Sequence, residues 1–197
     1  RLPEVFAETV LANEGPYDFD KDDPGGETAF GITRRDNGSW PGWKRVDDFK
    51  RQNPNLGEEK LVQFIVGDPE MQLHVRNFYM TGPWSAIRGT ELQSQLIAGE
   101  LFDAAVNCGV VRVVKWLQRA LNIFNQGGEL YPDLEVDGYF GNKTLECVHT
   151  LLAKRTYGEA VLKRALDAQQ GMRYMELAEA NPKLEKFEGG WWAKRIG

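Results

Sequence analysis

Glu14, Asp23 and Thr28 are the side chains whose types and spacing could cleave a bond between sugars. Ala7, Val10, Leu11 and Glu14 recur at helical spacing behind Pro3, so the carboxylate ends an apolar stripe. Gly15-Pro16-Tyr17 follows at once and cannot continue a helix. A carboxyl at the end of an apolar face is partly desolvated, which raises its pKa and suits it to donate a proton near neutral pH. The polar stretch that follows, residues 18–28, brings Asp23 and Thr28 nine and fourteen positions beyond Glu14, both able to hold a water. A proton donor facing a positioned water is the equipment of acid-assisted glycosidic cleavage.

Each residue also has a plainer reading. On position alone Glu14 is a solvated helix-terminal glutamate. Asp23 precedes Pro24-Gly25 and could simply serve a turn, and Asp22 is its rival as second carboxylate. Thr28 could cap or pack a strand. Carboxyls about 5–5.5 Å apart would give retention and about 6.5–9.5 Å inversion; the intervening loop fits the wider spacing better, and both stay open. Pyranose rings need apolar faces beside polar groups, and Tyr17, Phe30, Trp40, Trp43 and Asn107 are the candidates. For the aromatic residues core packing competes, and for Asn107 a helix C-cap competes. A calcium loop at Asp18-Asp20-Asp22 fails, since Asp23 stands where glycine is needed and Ala29 where glutamate is needed. His74 and His149 lack partners at ligand spacing, so no metal is expected.

The elements that must position these groups read as mainly helical. After an expected helix over 2–14 and its loop, Ser39-Trp-Pro-Gly-Trp43 reads as a turn and 47–51 as a short helical turn. Helices follow at 58–66 and 68–79, the second opened by Asp68-Pro69. Residues 81–83 end it, with Trp84 at a lobe junction. Residues 91–106 and 110–124 form a helical hairpin around Gly109, a loop with at most a minimal hairpin covers 126–138, and helices at 142–155, 157–179 and 184–195 complete the chain. Trp191-Trp192 is expected to pin the last helix. Few apolar residues precede position 85, so the expected division is 1–84 and 85–197 packed into one body.

Three blocks resemble glycoside hydrolase family 108, bacterial and phage N-acetylmuramidases. The first is Glu14-Gly-Pro-Tyr17 with Asp22-Asp-Pro-Gly-Gly-Glu-Thr28-Ala-Phe-Gly-Ile32; Pro16 stands where the family usually has glycine. The second is Phe102-Asp-Ala-Ala-Val-Asn107-Cys-Gly109 with Trp116-Leu-Gln118-Arg-Ala-Leu-Asn122. The third, Val136-Asp-Gly138-Tyr-Phe-Gly141-Asn-Lys-Thr144, resembles the family's C-terminal peptidoglycan-binding region, with Asn142 or Thr144 able to cap a helix. The resemblance implies a mainly α, lysozyme-like two-lobed fold with a small β/turn region by the active-site loop. It implies cleavage of the β-1,4 bond between N-acetylmuramic acid and N-acetylglucosamine, with Glu14 as acid, Asp23 and Thr28 guiding a water, and no cofactor. A lytic transglycosylase is the alternative enzyme. A silent wall-binding or secretion-assisting protein is the alternative class.

Composition is compatible with this. Net charge is −5 with both signs scattered, which disfavours nucleic acid and strong capture by an anionic wall unless a local basic groove survives the averaging. No apolar run approaches the ~20 residues of a membrane span. Cys108 and Cys147 read as two small buried residues rather than a structural disulfide, with their redox state left open. No signal peptide is visible and the chain starts at Arg1, so an N-terminal segment is expected to have been removed or omitted. The expectation is a monomer acting on glycan strands in the bacterial periplasm or cell wall, of cellular or phage origin.

Overall fold

A computed structural model of the chain describes residues 15–19 and 26–196. It is mainly helical, with one small antiparallel sheet. The expected helix over 2–14 with Glu14, and the loop residues Asp22 and Asp23, lie outside the described residues. Two compact units divide at Gly82/Pro83.

In the N-terminal unit, β1 (Asp18–Phe19), β2 (Glu27–Ala29) and β3 (Ile32–Thr33) pair in sequence order. Ala29 faces Ile32 in the register, leaving Phe30-Gly31 as a two-residue turn. Both have positive φ, +50° and +77°, the primed-turn geometry whose twist matches a hairpin. Glycine takes this backbone freely; Phe30 does so under strain. Its ring is 3% exposed, its N–H donates to the Pro16 carbonyl and its carbonyl accepts from Tyr79 Oη at 2.6 Å, which together hold the turn.

Three helices support the sheet: α1 (Gly42–Gln52), α2 (Glu58–Gly67) and α3 (Pro69–Tyr79). The turn expected at 39–43 thus gives way to a helix starting at Gly42 and running through the short segment expected at 47–51. The Trp40 indole occupies the space of a side chain at Gly42, where an added Cβ would meet ring carbons at 2.3 Å. Trp43 and Val46, one helical step apart, then turn the inner face of α1 into the core. Asp68 caps α3 through the amides of Glu70 and Met71 and pairs with Arg45 at 2.7 Å. A π-turn, Met80–Trp84, breaks at Gly82 and ends the unit.

The C-terminal unit contains α4 (Gln95–Cys108), α5 (Val110–Phe124), α6 (Asn142–Lys154), α7 (Gly158–Ala180) and α8 (Glu185–Arg195). Helix α4 begins later than the sequence suggests, because Ser94 accepts the Ile97 amide and fixes the start. Gly109, at φ +86°, separates α4 from α5. Leu101, Phe102, Leu117, Leu121, Leu151 and Leu162 fill the core. Trp84 belongs to this unit, edge-on to Phe102. Trp191 stacks on Tyr174 at 5.0 Å, tying α8 to α7. Both cysteines are free. Among the described residues no helix is long and apolar enough to cross a membrane.

Candidate active site and wall-binding region

Strand β2 carries two different kinds of side chain. Glu27 and Ala29 share its inner face, and Thr28, by strand alternation, projects from the other. Thr28 is half-buried opposite Asp18 and Thr33, and its hydroxyl has no hydrogen-bond partner among the described residues. Residues 20–25, which include Asp22 and Asp23, connect β1 to the same strand.

Beneath this strand lies a clamp that sequence reading missed. Glu27 accepts from Tyr17 Oη at 2.6 Å and Lys50 Nζ at 2.7 Å. Arg34 Nε lies 2.6 Å from its other oxygen, an ion pair outside good hydrogen-bond angles. Arg34 also makes a forked pair with Asp47 and lies over the Trp43 ring at 4.4 Å. Burial alone would raise the Glu27 carboxyl; Lys50 and Tyr17 hydrogen bonds and the Arg34 charge outweigh it and hold the group below the usual range. Glu27 therefore stays ionised, and its job is to hold the hairpin on α1. Burial first, then the bond to Glu27, pushes the Tyr17 phenol upward. The available signal was Glu27 in a hairpin with Arg34 seven positions on, a charge pair across adjoining strands.

The predicted sugar-contacting residues are distributed differently from one another. Tyr17 lines a 340 Å³ depression with the half-exposed Phe19, Phe49 and Lys50, although its own ring is largely covered. Phe30 and Trp43, 3% and 2% exposed, offer no ring face to solvent; they pack the turn and α1. Trp43 donates to the Asn37 carbonyl at 2.9 Å, and Trp40 meets it edge-on at 5.3 Å. Asn107 is exposed in the C-terminal unit, at the last turn of α4, where its amide donates to the Asp103 carbonyl at 2.8 Å.

In the C-terminal unit, Gln118 and Asn122 of α5 and Asn125, just past its end, stitch the following loop to the helix. Gln118, 2% exposed, donates to Asp137 and to the Tyr139 carbonyl and accepts from Gly138 N–H. Asn122 makes a reciprocal pair with Leu134, both at 2.8 Å, and Asn125 donates to Asp133. Gly138 lies so close to α5 that an added Cβ would meet Val111 at 2.8 Å. The Asp137–Thr144 motif is thus a turn fixed to a helix. Neither Asn142 nor Thr144 caps α6, because Asn142 accepts from Arg88 and Thr144 is buried.

Residues 7–109 match the family model described as glycosyl hydrolase 108, and residues 112–196 match one described as a predicted peptidoglycan domain. No curated protein matches the sequence. Among solved structures, Brucella abortus SagA is similar in fold, with a TM-score of 0.59 at 21% identity over 98% of this chain and 86% of that one. The mainly α architecture with its small sheet is consistent with the lysozyme-like fold the motifs imply. With more than half its length matched, the chain belongs to the glycosyl hydrolase 108 family and is a peptidoglycan hydrolase.

Proposed function

We propose that this hydrolase cuts the β-1,4 bond between N-acetylmuramic acid and N-acetylglucosamine in the wall or periplasm, with Glu14 as general acid. Glu14 gives its proton to the leaving oxygen as the bond to the anomeric carbon breaks. Asp23 takes a proton from the attacking water, which Thr28 orients. The supporting observation is the hairpin: its clamped inner face fixes β2, Thr28 projects from the opposite face, and the loop with Asp22 and Asp23 springs from the same strand pair. Tyr17, Phe30 and Trp43 support this hairpin and α1 from below; the neighbouring depression at Phe19 lies on the Glu27 side of the sheet, away from Thr28.

The test is the mass of fragments released from purified peptidoglycan by the purified protein. Reducing-end muropeptides, heavier by one water than anhydro products, are expected. Anhydro ends would make the enzyme a transglycosylase, and binding without release would make it a wall-binding protein.

A further inference from the structure

Helix α5 presents Arg112, Lys115 and Arg119 on one exposed face, at spacings that bring them together. With Val111, Trp116 and Val136 they line a 610 Å³ groove within the C-terminal unit. Val111 is 61% exposed and Val136 38%, so the groove combines cations with open aliphatic surface. Two nearby carboxylates, Asp103 and Asp137, are held by other groups, although Asp137 also feels the Lys115 charge. Asp103 pairs with Arg195 at 2.7 Å, and Asp137 is held by Gln118 and the Tyr139 amide. None of the three groove cations makes an ion pair with a carboxylate among the described residues. A chain of net charge −5 therefore keeps a local basic groove, with no acid in its lining.

We propose that this groove docks the peptide stems of peptidoglycan, their carboxylates on Arg112, Lys115 and Arg119 and their small aliphatic side chains against Val111 and Val136. The inference rests on peptidoglycan being the substrate. Charge complementarity selects the occupant: the glycan backbone supplies no comparable density of carboxylates, whereas every stem carries them. Contacts at exposed cations are individually weak and screened by salt, so binding is cumulative along the polymer.

The test is co-sedimentation with purified sacculi stripped of phosphate-bearing polymers, in the Glu14→Gln background so the wall stays intact. Replacing Arg112, Lys115 and Arg119 together by alanine should weaken binding about tenfold at low salt. Sacculi with chemically amidated stems should be bound as weakly by the parent, with little further loss in the triple variant. A misfolded variant would lose binding to both sacculi alike and melt differently from the parent. Equal binding by parent and variant, indifference to amidation, or binding only to walls that retain phosphate polymers would overturn the proposal. Wild-type hydrolysis of stem-free glycan tests the catalytic reading separately, because that substrate lacks what the groove binds.

Discussion

Glu27 shows how one carboxylate can stand next to a catalytic motif and have a different task. Lys50, Arg34 and Tyr17 converge on it, and a group so held cannot act as a proton donor at neutral pH. Because its folded pKa lies below the ordinary 4.5, its contribution to stability is complete above that value and is lost as pH falls through the depressed one. Glu27→Gln should cost about 2 kcal/mol at pH 7, and the penalty should shrink as denaturation curves are taken to lower pH. A pH-independent penalty would show that packing rather than charge holds the hairpin. The sequence displayed Glu27 beside Thr28 but not its partners: Tyr17 lies ten residues before it and Lys50 twenty-three after, and only the fold joins them.

At the scale of elements, local chemistry was legible wherever the chain carries its own stop and start signals. Asp68-Pro69 announced α3, and Gly109 divided α4 from α5. The start of helix α1 was hidden because Trp-Pro-Gly-Trp has turn composition; there the Trp40 indole folds over Gly42, which leaves no room for a side chain at that position. The Asp68 cap offers a direct check. Asp68→Ala should destabilise the N-terminal unit by about 1–2 kcal/mol, whereas Asp68→Asn, which keeps the cap and loses only the charge on Arg45, should cost less. Thermal unfolding of the two variants would decide; equal losses would assign the effect to the ion pair alone.

For the whole molecule, two carboxylates, Glu27 and Glu100, one in each unit, titrate in opposite senses. In the C-terminal unit Lys163 joins Glu100 of α4 at 3.1 Å to Asp167 of α7 at 2.9 Å, so two carboxylates share one cation. Burial first, then the neighbouring Asp167, pushes the Glu100 carboxyl up to about 7 despite Lys163. A raised carboxyl favours the folded state while protonated, so stability should fall as pH rises from about 4.5 to 7. In Glu100→Gln that part of the slope in melting temperature should disappear; an unchanged slope would place the titration elsewhere. The family's motifs were legible in sequence in order from Glu14 to Thr144. The basic groove was not, because Arg112, Lys115 and Arg119 vanish into an average charge of −5 until α5 places them on one face.

We propose that Glu14, the first residue of the Glu14–Tyr17 motif, drives wall hydrolysis. The direct measurement is the initial rate of reducing-end release from purified peptidoglycan by wild-type and Glu14→Gln, with matched melting curves. A loss of at least about a hundredfold at unchanged stability is predicted for a general acid. Near-wild-type release by Glu14→Gln would contradict the account and send the search for the acid elsewhere in the chain.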